Sequence, residues 1–145
     1  MKKVIFEQKM TADVESSFVV FLIGMRINKW WQVHQWAPVL LSMPKMLREL
    51  YQHPELGFVG AESWFGRTTL MVQYWKSQED LHAYATNKDL NHVPAWQAFN
   101  KKIGASSAVG IWHESYVIQP GSHRSLYRGM PQFGLAKLGK HTRIG

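Results

Sequence analysis

Residues 70–99, LMVQYWKSQEDLHAYATNKDLNHVPAWQAF, leave this chain the fewest choices. A short run rich in aliphatic and aromatic side chains ends on Tyr74 and Trp75, the pattern of a strand. Ser77 follows, with Asp80 at the capping-box spacing, so a helix starts there. Leu81, Tyr84 and Ala85 make its inward stripe, and Asn87, Lys88 and Asp89 break it. Asn91 can cap a second segment, and Pro94 is tolerated in a first turn. His92, Trp96, Phe99 and Ile103 then fall at offsets of four, seven and eleven, which is one helical face. A strand ending on aromatics, then helices with a histidine on an apolar side, describes a ligand-holding α+β domain.

The rest of the chain supplies partners for that unit. Residues 18–27, FVVFLIGMRI, form a continuous apolar strand, which requires cover on both faces. Gly24 within it marks a bulge or the close approach of another group. Arg26 either snorkels to the strand edge or contacts an anion or substrate at a pocket mouth. In residues 28–51, Trp36, Leu40, Met43, Leu47 and Leu50 recur at helical steps. Pro38 and Pro44 conflict with an unbroken helix. They predict a loop through Trp31, a helix from near Pro38 and a kink or restart near Pro44. Residues 58–65 and 67–75 read as a β-hairpin turning at Gly66. In its second strand Leu70, Val72 and Tyr74 share one face, and Thr69, Met71, Gln73 and Trp75 the other. The last strand, residues 109–118, puts Val109, Ile111 and His113 on one side and Trp112, Glu114 and Tyr116 on the other. Residues 1–16 are peripheral, with a short edge strand at 4–6.

The order strand, helix, strand, strand, helix, strand is the ferredoxin-like βαββαβ arrangement of the α+β class. Its helices cover one sheet face and leave the other bare. An apolar sheet face is too large a patch for a monomer to expose. A homodimer pairing sheet with sheet into a barrel-like core is the expected remedy. We place that domain at residues 1–118 and a basic tail, packing on the domain or on its partner, at 119–145. The tail carries Arg124, Arg128, Lys137, Lys140 and Arg143 and no acid, whereas the remaining 12 basic residues are balanced by all 10 acidic ones.

This distribution excludes a basic nucleic-acid module, and the aromatics are not interleaved with cations on one strand face. The absence of cysteine excludes disulfides and thiolate metal sites and fits a reducing, cytoplasmic location. The longest apolar run, residues 18–25, is too short to span a bilayer. His82, His92 and His113 have no short metal-ligand spacing, so no metal site is expected. A Gly-rich phosphate loop, a nucleophile elbow and paired catalytic carboxylates are all lacking.

The segments YWKSQEDLHAYA, NHVPAWQAF, VGIWHESYVI and YRGMPQFGLAKLG, in that order, resemble the fumagillin-pathway monooxygenase-like family, formerly a domain of unknown function, of the dimeric α+β barrel superfamily. The likeness runs from about residue 18 to residue 139. It implies a ferredoxin-like protomer, a dimer and a pocket between sheet and helices. Superfamily members similar in fold oxidise electron-rich substrates with oxygen, often without metal or flavin. Others hold haem through a histidine on the second helix, a place that His92 approximates.

Two histidines carry these alternatives. His92 is either a hydrogen-bonded first-turn residue or a base or haem ligand. His113 is either a partnered core residue or a proton acceptor facing the helices. Tyr74, Trp75, Trp96, Phe99, Trp112 and Tyr116 are core residues that can also wall a pocket for a flat, hydrophobic ligand. The resulting expectation is a small monooxygenase acting on a hydrophobic or aromatic metabolite, with His92 or His113 as base and Arg26 steadying charge. A haem protein using His92 and a non-catalytic small-molecule binder are the alternatives.

Overall fold

A computed structural model describes residues 3–87 and 107–145 of the chain. Its centre is a four-stranded antiparallel sheet in the order β3-β4-β2-β5, built from β2 (Phe18–Ile27), β3 (Phe58–Trp64), β4 (Leu70–Trp75) and β5 (Val109–Ile118). Two helices, α1 (Val33–Gln52) and α2 (Gln78–Thr86), interrupt the strands. With β2 and β4 in the middle and β3 and β5 at the edges, this is the ferredoxin-like α+β arrangement. The second helical segment expected at residues 91–103 lies outside the described residues.

Register explains the layering. Val19, Phe21, Ile23 and Met25 of β2 alternate with Phe18, Val20, Leu22 and Gly24, so the two sets occupy opposite faces. Val19 and Ile23 pack with Met71 and Trp75 of β4, Phe58 of β3, Met43, Met46 and Leu50 of α1, and Leu81 and Tyr84 of α2. This is the main core. A smaller cluster of Met25, Val39, Ala108 and Val109, joined by Trp36 and Leu40, fastens the start of α1 to the β2–β5 end of the sheet.

The helix α1 departs from the sequence expectation. It starts at Val33, before Pro38, and runs through Pro44 as one element. Both proline rings are exposed, while Val39, Met43, Met46 and Leu50 are buried. A proline inside a helix costs about 3 kcal/mol. The two together cost about 6 kcal/mol, which burying four large apolar side chains at about 1.5–3 kcal/mol each matches or exceeds, so packing carries the helix past both prolines.

The helix α2 starts as its sequence predicts. The Ser77 hydroxyl accepts a hydrogen bond from the Asp80 backbone N–H at 3.1 Å. Ser77→Ala is expected to lower stability by about 1 kcal/mol, read as a shifted urea midpoint with an unchanged m-value.

The sheet face turned away from the helices is not bare. A ribbon of β1 (Met10–Asp13) and β6 (Lys140–Arg143) pairs antiparallel, with Ala12 opposite His141. A 3-10 turn at Gly134–Lys137 precedes β6. Ala12, Val14, Leu135 and Ala136 bury Phe18 and pack against Val20, Tyr74 and Ile118. The chain's own ends thus cover one end of this face. The patch around Trp112, Glu114 and Tyr116 stays exposed or half-exposed. Neither β1 nor β6 is legible in the sequence, because strands of four residues joined across the whole chain length carry little local signal.

Candidate functional site

The helix side of the sheet carries the residues that chemistry can use. Across its middle run Ala61, Gln73, Phe21 and Ser115, one from each strand, and the neighbouring row holds Ser63, Met71, Ile23 and His113. At β4 these rows lie under the helices, where Met71 and Gln73 are buried, while at the β3 edge Ala61 is half-buried and Ser63 exposed. Towards β5 they open. Val109 is buried and Ile111 half-buried, whereas His113, Ser115 and Val117 are exposed.

Gln73 is the polar residue that the sequence reading did not single out. It is 1% exposed at the centre of the sheet. Its Oε1 accepts from Trp75 Nε1 at 2.9 Å, and its Nε2 donates to Met71 Sδ at 3.2 Å. A buried amide must find partners, and here it takes them from its own strand. Its one legible signal is its place as the single amide among Thr69, Met71 and Trp75 on that face.

His113 stands opposite Ile23 on β5, its ring tilted at 46° to Phe21 with centroids 5.8 Å apart. Its neighbour Glu114 points to the other face, where it accepts from the Tyr116 hydroxyl at 2.6 Å. That hydrogen bond holds the Tyr116 phenol above its usual pKa. The Gln78 side chain donates to Ser115 Oγ at 3.2 Å and marks where α2 meets this opening.

The remaining expected site residues distribute over both faces. Arg26 lies on the face away from the helices, opposite Gly110, exposed and donating to Thr68 Oγ1 at 2.7 Å. Arg26 and His113 are therefore not brought together. Trp75 is on the helix side and fully buried, edge-on to Phe58 and tilted against Tyr84. Tyr74, Trp112 and Tyr116 lie on the opposite face. Strand alternation separates these aromatics into two groups. His92, Trp96 and Phe99 lie outside the described residues, as does the haem-ligand position that His92 was expected to fill. Among the described residues, no group of three or more His, Asp or Glu could hold a metal ion.

A second polar cluster lies where the tail meets the far face. The Glu62 carboxylate, 13% exposed, accepts from Lys137 Nζ at 2.6 Å and from the Gly134 N–H at 3.2 Å. Gly134 has a φ of 58°, and a Cβ there would sit 3.2 Å from the Tyr74 hydroxyl and 3.7 Å from that of Tyr127. Burial, reinforced by the nearby Glu62 charge, pushes both phenols up and keeps them protonated. Every charge in this cluster is paired, so it reads as the clasp that seats the tail.

Comparison with known proteins places this arrangement. A 124-residue stretch is 27% identical to "Monooxygenase af470" of Aspergillus fumigatus (strain ATCC MYA-4609 / CBS 101355 / FGSC A1100 / Af293), covering 78% of this chain and 43% of that protein. The chain thus spans less than half the length of that relative. No helix among the described residues is long and apolar enough to cross a membrane. The family model described as Monooxygenase af470-like matches residues 18–135, from the first residue of β2 through the whole sheet into the 3-10 turn of the tail, and the chain belongs to that family.

Proposed function

We propose that this protein is a small monooxygenase-type oxidoreductase acting on a hydrophobic or aromatic metabolite held on the helix side of the sheet, beside β5. The observation that carries this reading is the family match over residues 18–135. The exposed row of His113, Ser115 and Val117 supports the location, since Met71 and Gln73 in the middle of that sheet face are buried. Phe21 offers an aromatic wall beside the imidazole.

In this reading His113 removes a proton from an acidic C–H or O–H of the substrate, and the resulting anion passes electrons to oxygen. For a methylene beside a carbonyl, one oxygen atom becomes the new carbonyl, and both hydrogens leave with the other as water. The substrate carbon supplies all the electrons, so this route needs no separate reductant. We further propose that the exposed remainder of the far sheet face pairs with a second copy. That pairing would enclose Trp112 and Tyr116 between two sheets and complete the dimeric barrel.

The test is oxygen uptake with an electron-rich phenol such as 1-naphthol and an enolisable aryl ketone such as anthrone. His113→Ala is expected to lower the rate by about 100-fold with an unchanged circular dichroism spectrum. Uptake indifferent to that substitution would remove His113 as the base. Binding of a probe without any oxygen uptake would leave a non-catalytic binder. Sedimentation velocity checks the pairing, and a monomer at micromolar concentration would overturn it.

A further inference from the structure

One end of the molecule breaks the usual rules for a turn. Residues 29–32 form a tight turn closed by the Gln32 N–H to the Lys29 carbonyl at 3.0 Å, with Trp30 and Trp31 as its central residues. Such positions normally hold Gly, Asn, Asp or Pro. Here two indoles pack edge to face and remain 72% and 61% exposed.

The turn is held from several sides. The Asn28 and Lys29 N–H groups both donate to the Ala108 carbonyl, at 2.9 and 3.1 Å, and Trp36 Nε1 donates to the Trp30 carbonyl at 2.8 Å. The hairpin tip between β3 and β4 is tied alongside. Arg67 Nε donates to the Ile27 carbonyl at 3.0 Å and Nη2 to that of Asn28 at 3.4 Å. Phe65, 75% exposed, sits on that tip. A fixed scaffold therefore presents three large aromatics to solvent at one end.

Among the described residues, the two stretches that build this end carry charge of one sign. No acidic residue occurs between Glu15 and Glu49 or between Glu62 and Glu79, the two stretches that build this end, while Lys29 and Arg67 belong to it. Exposed indoles favour the boundary between lipid headgroups and acyl chains, where an apolar ring and its polar N–H are both accommodated. Cations beside them select an anionic surface.

We infer that this end, Trp30, Trp31 and Phe65 flanked by Lys29 and Arg67, docks the protein peripherally on an anionic lipid bilayer. The aromatics enter the headgroup boundary and the cations meet the lipid phosphates. The inference is independent of the monooxygenase reading. A membrane-docked protein would take a greasy ligand from the bilayer whether or not it oxidises it.

The test is co-sedimentation of the full-length protein with sucrose-loaded phosphatidylcholine vesicles, with and without about 30% phosphatidylglycerol. Binding is expected only to the anionic vesicles, and it should weaken sharply at about 0.5 M salt. The Trp30→Ser/Trp31→Ser variant should bind about tenfold more weakly with an unchanged melting temperature, since both side chains are exposed. Lys29→Glu should reproduce the loss through charge alone. Three results would overturn the inference. One is no binding at low salt. Another is binding that the double substitution leaves intact, which would assign it to the basic tail. The third is a double variant that changes the oligomeric state, which would make the turn a contact between copies of this chain.

Discussion

Gly24→Ala is expected to destabilise the protein by about 3 kcal/mol, enough to lower the melting temperature by roughly 10 °C. Gly24 lies in the middle of β2, where β4 departs from regular pairing. Instead of continuing the ladder, Thr69 donates its N–H to the Met25 carbonyl at 2.8 Å, and its hydroxyl accepts from the Met25 N–H at 3.0 Å. That geometry drives the Thr69 carbonyl onto the Cα of Gly24. An added Cβ would stand 2.9 Å from the Thr69 carbonyl carbon, closer still to its oxygen, and 2.8 Å from Trp112 Nε1. Two of those atoms are backbone, fixed by the same hydrogen bonds, so rotating a side chain cannot relieve the contact. Thermal and urea unfolding of the variant check this. A loss within experimental error of zero would mean that Thr69 can retreat, and that the close approach is not fixed by its hydrogen bonds.

Trp75→Ala is expected to cost about 3–5 kcal/mol, a large share of the roughly 5–15 kcal/mol that keeps such domains folded. Trp75 is fully buried, edge-on to Phe58 at 5.6 Å and against Tyr84 at 5.5 Å, and it donates to Gln73. Truncation opens a cavity between the sheet and both helices and strands the Gln73 carbonyl oxygen. Milder substitutions separate these effects. Trp75→Phe retains most of the ring and should cost about 1–3 kcal/mol, chiefly through the unpaired amide. Gln73→Leu strands the indole N–H by the same logic. The double variant removes both polar partners, so its loss should fall short of the sum of the single losses by about 1 kcal/mol. Strict additivity in denaturant titrations would show that the Gln73–Trp75 hydrogen bond contributes nothing to stability.

The faces of the strand residues in the candidate site were legible, and what was not has a common cause. Strand periodicity alone assigned His113 to the helix side and Glu114 to the other, and it placed Tyr74 and Trp75 on opposite faces, because successive side chains in a strand alternate. It could not reveal that the helix side is packed over β4 and open beside β5, since this depends on which helix lies over which strand. Gln73 was visible as a residue but not as a buried one. Its burial follows from the arrangement of α1 and α2 above it.

By itself, the sequence determined the order of the four sheet strands with α1 and α2, the strand faces and the cap at Ser77. All of these rest on interactions within a few residues or on a simple period. Only the tertiary structure decided the rest. It carried α1 through two prolines, because four buried side chains outweigh lost backbone hydrogen bonds. It seated the basic tail as a strand paired with β1 and a clasp closed by Glu62 and Lys137. Those contacts join residues more than 70 positions apart. Local propensity carries no information about which distant segment will complete such a pairing.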